Sequence, residues 1–122
     1  MKSIFIIIVV LIVCYIFYKT YSIQNVDKNL VQLINKGAVI LDVRTKMEYE
    51  EDHIPGSVNI ALSKLRAASI NLDKKQTIIT CCSHGLRSIK AVEILKVRGF
   101  KDVHNGGVWT DLEKYTNNKQ NK

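Results

Sequence analysis

An uncharged apolar run near the N-terminus constrains this chain most. Residues 3–18, SIFIIIVVLIVCYIFY, contain no charged side chain, and continuing to Ile23 gives about twenty residues, close to the length of a helix that crosses a bilayer. Tyrosine and phenylalanine crowd the C-terminal end of the run, as they do at membrane–water interfaces. Residues 1–23 are therefore predicted to form a single-pass transmembrane anchor.

Two other interpretations of this run involve cleavage. A secretory signal peptide would need a small-x-small cleavage site after the apolar run, and none follows. A lipoprotein signal would end at Cys14, but Val13 is bulky where such signals have a small residue. We therefore expect the segment to stay on the mature protein.

The rest of the chain is large enough for one small domain. Residues 24–122 carry 16 Lys/Arg against 11 Asp/Glu, scattered rather than gathered in a stripe with aromatic residues. This distribution is typical of a solvated surface and gives no reason to expect nucleic-acid binding. We expect a domain over residues 24–115 and a disordered polar tail, TNNKQNK, over residues 116–122.

Cysteine is scarce, and its placement matters. The predicted domain contains only Cys81 and Cys82. Adjacent cysteines bridge only through a strained ring, so both are expected to be free thiols. The histidines are too far apart in sequence to form a ligand pair of zinc-finger type, so we expect no metal site.

Helical and strand patterns alternate after residue 24. Strands are predicted at 38–43, 57–60, 77–81 and 101–104. A first helix is predicted to end at Gly37, and a second runs from the Thr45–Glu48 capping-box pattern to Asp52. Two more helices are predicted at 64–69, with Ser63 as the cap, and at 88–98. Turns are predicted at 53–56 and 105–107, and a short helix is predicted after the second turn. Strands separated by helices predict an α/β domain with a parallel central sheet and helices on both faces. Ligands in such domains bind at the C-terminal ends of the strands.

The paired cysteines stand at one of those strand ends. The loop from Cys82 to Arg87 leaves a buried strand and enters a helix, where backbone N–H groups and the helix dipole favour negative charge. Gly85 permits a conformation closed to other residues, and Arg87 adds a positive charge for an anionic substrate. A thiolate is favoured at Cys82, whereas strand alternation sends Cys81 to the opposite face as an inert, buried residue.

Three segments together resemble a known family. C-x-x-G-x-R-S at 82–88, LDVR at 41–44 followed by Glu48, and HIPGSVNI at 53–60 are similar to motifs of short, single-domain rhodanese-type sulfurtransferases. Gly99-Phe100, 105–107 and Asp111-Leu112 resemble the end of those proteins. Asp52 replaces the family's usual glycine, and Cys81 stands where tyrosine is common.

This resemblance implies a rhodanese-like fold and a sulfurtransferase reaction. Cys82 would attack the outer sulfur of thiosulfate or a persulfide donor, and a thiol or cyanide would take that sulfur from the resulting persulfide. No cofactor is implied, and the physiological donor, acceptor and any protein partner stay unassigned. The loop residues implied to bind the donor are Ser83, His84, Gly85, Leu86, Arg87 and Ser88.

Other polar residues near the motifs are expected to support structure. Asp42 and Arg44 should brace neighbouring loops through hydrogen bonds. His53 should be a turn residue with a satisfied ring. His84 lies within the loop at a variable position of the motif, where it would tune donor binding. Trp109 is expected to pack.

Two alternative functions remain open from the sequence. Related loops run phosphatase and arsenate reductase reactions, but those loops resemble Cys-x5-Arg, which would require arginine at position 88, where this chain has Ser88. A non-enzymatic module would dock a membrane partner and sense oxidation through Cys81 and Cys82. The side of the membrane is also open: a short N-terminal tail and similarity to exported rhodaneses favour an extracytoplasmic domain, whereas Lys19, Lys28 and Lys36 favour the cytoplasm.

Overall fold

A long N-terminal helix precedes the domain. The computed structural model describes residues 1–67 and 69–120, and helix α1 runs without a break over Lys2–Gln24. Lys2–Ile23 is long and apolar enough to cross a membrane, and its apolar side chains lie exposed. At about 1.5 Å per residue, a helix of this length matches a hydrocarbon core of about 30 Å.

The rest of the chain forms the predicted α/β domain. Its sheet has the strand order β2-β1-β3-β4 with every pairing parallel. The elements are α2 Leu30–Asn35, β1 Val39–Asp42, α3 Lys46–Glu51, β2 Val58–Asn59, a 3₁₀ helix Leu62–Lys64, β3 Ile78–Cys82, α4 Leu86–Val97, β4 Val103–Val108 and α5 Trp109–Gln120. The fold class expected from the sequence is confirmed.

Strand β3 lies at the centre and is buried along its whole length. Its side chains alternate between two cores, as a strand dictates. Ile78 and Cys82 join the core that includes Leu95 and Phe100. Ile79 and Cys81 join the core on the other face, with Leu30, Ile34, Ile40, Ile54 and Leu112. The two adjacent cysteines therefore point in opposite directions, as predicted.

The capping box that the sequence predicts is present at the start of α3. The Thr45 hydroxyl accepts from the Glu48 N–H at 3.3 Å, and the Glu48 carboxylate accepts from the Thr45 N–H at 2.9 Å. These bonds fix the first turn of a helix of only six residues.

Helix α4 begins earlier than predicted. It starts at Leu86 rather than Ser88, because Gly85 adopts a left-handed conformation, φ 84°, and serves as the N-cap. The buried residues of this helix are Ser88, Ala91, Ile94 and Leu95, and Val92 packs partly buried against the same core. The earlier start brings the helix's first N–H groups next to Cys82.

The helix predicted over 64–69 is also wrong. Ser63 lies inside the 3₁₀ helix Leu62–Lys64 and makes no capping bond, and Ala68 lies outside the described residues. Tertiary contacts override the local pattern here, because Leu65 is fully buried and Leu62 N–H donates to the Val43 carbonyl at 3.0 Å.

The turn predicted over residues 105–107 is part of strand β4. Gly106 serves close packing rather than chain reversal, since a Cβ there would lie 2.8 Å from the Thr80 carbonyl oxygen and 2.7 Å from Ile79 Cγ2. The predicted strand over 101–104 is thus too short.

Helix α5 extends into the C-terminal segment. It continues through Gln120 and so overlaps the tail predicted over 116–122, while residues 121–122 lie outside the described part of the chain. Within this helix the Thr116 hydroxyl donates to the Glu113 carbonyl at 2.8 Å.

Candidate active site

The Cys82 sulfur lies within a cradle of backbone donors. Cys82 ends β3, and its Sγ accepts from the Gly85 N–H at 3.1 Å and from the Ser88 N–H at 3.3 Å. The two donors belong to the N-cap and the first turn of α4, where the helix dipole adds positive potential. Both N–H groups therefore direct positive partial charge at the sulfur.

The loop around this sulfur is internally braced. The Ser88 hydroxyl donates to the Gly85 carbonyl at 3.0 Å, and the Thr80 hydroxyl donates to the Ser88 carbonyl at 2.9 Å. Cys82 as a residue is only 1% exposed, so the cradle encloses it closely.

Arg87 does not present a free charge to solvent. Its guanidinium makes a bidentate pair with the Glu48 carboxylate, with both N–O distances 2.8 Å, and also donates to Ser83 Oγ at 3.3 Å. Hydrogen bonding to Arg87 holds the pKa of Glu48 far below its usual range, while the same pair raises the pKa of Arg87. An arriving anion meets an ion pair here.

Glu48 is the residue at this site whose role the sequence does not reveal. It appears there as the third residue of a capping box, which it also is. The structure adds bonds to Arg87 and to Ser83 Oγ, the latter at 3.1 Å, across 35 to 39 residues of sequence. In the sequence, its position after LDVR in the family motif was the only indication that Glu48 has a role at this site.

Cys81 is buried on the other side of the sheet. Its side chain is fully buried, and desolvation raises the pKa of its thiol strongly, with a further contribution from the charge of Asp42. Both effects keep Cys81 protonated and unreactive at neutral pH.

Asp42 and Arg44 form a buried pair that braces the neighbouring loops. Arg44 Nη2 lies 2.6 Å from Asp42 Oδ2 and also donates to the Asp52 carbonyl at 2.8 Å. Burial opposes the charged guanidinium, but the hydrogen bonds and charge of Asp42 outweigh it and raise the pKa of Arg44. The guanidinium also lies 4.5 Å from the centre of the Trp109 ring, so Trp109 packs as predicted and makes a cation–π contact.

His53 lies in the turn after α3, with its ring occupied. Its Nδ1 lies 2.8 Å from the Tyr49 carbonyl oxygen, and its ring stacks on that of Tyr49 with centroids 3.9 Å apart. Both contacts hold the ring against Tyr49.

His84 and Leu86 lie at the exposed rim of the loop. Leu86 is 43% exposed, and the His84 side chain faces solvent. The His84 carbonyl, in contrast, accepts hydrogen bonds from Tyr18 and Ser22 of α1, a contact that the sequence does not predict. Among the described residues, no group of three His, Cys, Asp or Glu side chains is placed to hold a metal.

Curated relatives of this chain include several sulfurtransferases. It is 36% identical over 95 residues to a tRNA sulfurtransferase of Thermoplasma acidophilum, covering 77% of this chain and 18% of that protein. It is 36% identical over 67 residues to the thiosulfate sulfurtransferase GlpE of Coxiella burnetii, covering 55% of this chain and 63% of that protein. It is 35% identical over 74 residues to the thiosulfate sulfurtransferase PspE of Escherichia coli, covering 59% of this chain and 71% of that protein. The chain thus spans less than two thirds of the first two relatives.

Solved structures agree on the fold. A rhodanese with anions from E. coli superposes with a TM-score of 0.55 at 34% identity, covering 62% of this chain and 91% of that one. The human single-domain sulfurtransferase superposes with a TM-score of 0.60 at 24% identity, covering 70% and 91%. The Rhodanese-like domain family matches residues 26–108, which include the whole sheet and the Cys82 loop. The chain therefore belongs to the rhodanese-like domain family.

Proposed function

We propose that this chain is a membrane-anchored sulfurtransferase in which Cys82 carries the transferred sulfur as a persulfide. The observation that carries the proposal is the pair of backbone N–H groups aimed at Cys82 Sγ. They stabilise a thiolate before the reaction, and they are placed to stabilise the anionic persulfide that follows it. The sulfurtransferase relatives support the same reaction class.

The reaction divides into two displacements at sulfur. The Cys82 thiolate attacks the outer sulfur of thiosulfate, the sulfur–sulfur bond of the donor breaks, and sulfite leaves with the electron pair. A thiolate or cyanide then attacks the terminal sulfur of the Cys82 persulfide, which releases the Cys82 thiolate. Each step exchanges one bond to sulfur for another, so no cofactor is needed.

The remaining loop residues are proposed to receive the donor. Ser83 and Arg87 lie beside the cradle and are tied to Glu48, and His84 and Leu86 form its rim. For a dianionic donor to gain the full charge of Arg87, it must compete with the Glu48 carboxylate. This competition favours small donors with concentrated charge.

The length of the loop disfavours phosphatase chemistry. The loop closes with Arg87, six residues from Cys82 inclusive, and Ser88 occupies the position where a phosphatase-like loop would have arginine. Ser88 is fully buried, and its hydroxyl is engaged by the Gly85 carbonyl. We expect transfer of sulfur from thiosulfate to cyanide and negligible hydrolysis of p-nitrophenyl phosphate. Phosphatase turnover that depends on Cys82 would contradict the proposal.

The reaction is best tested on the intact protein by mass. Treatment with thiosulfate should add the mass of one sulfur atom, and cyanide or a thiol should remove it. Cys82→Ser should show neither change in mass, because a serine hydroxyl is not ionised at neutral pH. Cys14→Ser, on the exposed surface of α1, is the matched control and should behave as the wild type.

A redox-sensing module is the second candidate function. It would require Cys81 and Cys82 to join, but their side chains lie in separate cores on opposite faces of the sheet. The same mass measurement distinguishes the candidates, since a disulfide between these cysteines would remove two hydrogen atoms and add no sulfur.

Membrane attachment through α1 is part of the proposal. The exposed apolar surface of this helix supports it, because such a surface is costly in water. The full chain should resist carbonate extraction from membranes, whereas mature protein beginning near residue 20 would indicate a cleaved signal instead. We propose an extracytoplasmic domain, on the basis of the similarity to exported rhodaneses. Reporter fusions active only in the cytoplasm would refute that topology.

A further inference from the structure

The end of helix α1 contacts the loop that holds Cys82. Tyr18 Oη donates to the His84 carbonyl at 3.0 Å, and Ser22 Oγ donates to the same oxygen at 3.1 Å. Tyr18 and Ser22 are one helical turn apart, so their side chains lie on the same face of α1. Both hydroxyls therefore converge on one carbonyl group of the loop.

That carbonyl belongs to the peptide unit whose N–H reaches the sulfur. The His84 C=O and the Gly85 N–H are the two ends of one planar amide. The Gly85 N–H donates to Cys82 Sγ at 3.1 Å, so a chain of hydrogen bonds runs from the α1 hydroxyls through the amide to the sulfur. Hydrogen bonds in such a chain polarise and strengthen one another.

The contact is held by the segment that joins α1 to the domain. Asn105 Nδ2 donates to the Asn25 carbonyl at 2.7 Å, and Asp27 N–H donates to the Asn105 carbonyl at 3.0 Å. Val26 packs against Gly107 so closely that a Cβ at Gly107 would lie 2.6 Å from Val26 Cγ2. The connection is therefore pinned to β4, and α1 is directed towards the Cys82 loop.

Gly85 leaves room for the contact between α1 and the Cys82 loop. Its φ of 84° is the left-handed conformation that glycine adopts without strain, and a Cβ there would overlap the Ser22 hydroxyl. The absence of a side chain thus serves both the loop turn and the approach of α1. Ser22 itself is buried by the packing, which limits competition from water for its hydrogen bond.

We propose that Tyr18 and Ser22 are positioning residues for Cys82, which fix and polarise the His84–Gly85 amide so that its N–H stabilises the thiolate. The inference rests on the proposed function, because it gives the anchor a role at the sulfur that carries out transfer. It also means that the anchor does more than attach the domain to a membrane. A domain released by cutting near residue 24 would lose both hydroxyls and part of the thiolate stabilisation.

The test compares the Tyr18→Phe/Ser22→Ala double variant with the wild type, both as full chains in lipid nanodiscs. The rate of Cys82 alkylation by iodoacetamide is followed at pH 6.5 and at pH 10, with fragmentation mass spectrometry to assign the modified cysteine. At pH 6.5 the double variant should react about 3- to 10-fold more slowly, the effect expected for losing hydrogen bonds that support a charged acceptor. At pH 10 the two proteins should react at similar rates, since ionisation no longer limits the reaction.

Matched controls lie on the same helix. Tyr21→Phe and Thr20→Ala remove the same kinds of hydroxyl from exposed positions near the contact, and both should leave the alkylation rates unchanged. They separate the contact with His84 from any general effect on the helix or on its position in the lipid.

Each outcome decides the inference. Equal rates for the double variant and the wild type at pH 6.5 would overturn it, and so would an equal slowing at both pH values, which would indicate a distorted loop. Persulfide formation by the wild type is measured on the same sample. If no persulfide forms while alkylation still depends on the two hydroxyls, the proposed function fails and the positioning role stands.

Discussion

Replacing each of the adjacent cysteines separately tests the structure most directly. Cys82→Ser should abolish sulfur transfer. Cys81→Ser should retain most of the transfer activity, because Cys81 faces the core on the other side of the sheet and does not reach the cradle. The two substitutions are chemically identical and lie one residue apart, so any difference between them arises from side-chain direction.

The cost of Cys81→Ser is a loss of stability. Its side chain is fully buried among apolar residues that include Ile40, Ile79 and Leu112. A serine hydroxyl placed there without a good partner should lower the free energy of unfolding by about 1–3 kcal/mol. For a domain of about 100 residues, each kcal/mol corresponds to a fall in Tm of roughly 4–8 °C.

The assay combines three measurements on the two variants, with Cys14→Ser as the neutral control. Thermal unfolding gives the change in Tm, thiocyanate formation gives the transfer rate, and peptide mapping after brief iodoacetamide treatment gives the reactive cysteine. An inactive Cys81→Ser with an active Cys82→Ser would refute the reasoning. A disulfide between the two residues in the resting protein would do so as well, and would support the redox-sensing function.

Three further predictions follow from the contacts around the loop. Arg87→Ala should raise KM for thiosulfate more than it lowers kcat. Glu48→Gln should lower KM, because it frees the Arg87 guanidinium. If steady-state kinetics give a higher KM for Glu48→Gln, the carboxylate instead positions Arg87. The pKa of Glu48 is lowered on folding, so its contribution to stability is present above its unfolded value of about 4.3 and is lost as the pH falls towards the folded value. Urea unfolding should therefore show a gap between wild type and Glu48→Gln at pH 7 that narrows by pH 3, and a constant gap would contradict the ion-pair explanation. Gly106→Ala should destabilise the domain by about 1–3 kcal/mol, as overpacking does, because its Cβ would lie 2.8 Å from the Thr80 carbonyl oxygen; an unchanged urea midpoint would show that β4 moves aside.

Local sequence patterns were sufficient for much of the fold. The capping box at Thr45 and the buried strand before the loop both depend on neighbours in sequence. The capping box occurs as predicted, and the strand runs over Ile78–Cys82, one residue further along the chain than the predicted 77–81. Strand alternation was enough to place Cys81 and Cys82 on opposite faces. The position of the cradle at a strand end follows in turn from the parallel sheet.

The errors occur where packing between distant segments overrides the local pattern. Asn105-Gly106-Gly107 has the composition of a turn, but these residues pair with β3, and the missing side chain of Gly106 admits the neighbouring strand. Leu65 is drawn into the core, so the segment at Ser63 forms a single 3₁₀ turn rather than a longer helix. Neither outcome is encoded within a few residues of the site in question.

The contact between α1 and the Cys82 loop shows the same limit at the candidate site. The four-residue spacing of Tyr18 and Ser22 is enough to predict that they share a helix face. Tyrosine at the end of an apolar run is already explained by the membrane interface, so nothing in the run indicates a second partner for its hydroxyl. That partner is a backbone carbonyl 62 to 66 residues away, and since every residue has a backbone carbonyl, the sequence does not indicate which one is contacted. The segment Asn25–Asp27 brings the two together through hydrogen bonds to Asn105, which local sequence patterns do not predict either. The residues that surround the sulfur could therefore be predicted from the motif, whereas those that orient its amide donor required the three-dimensional structure.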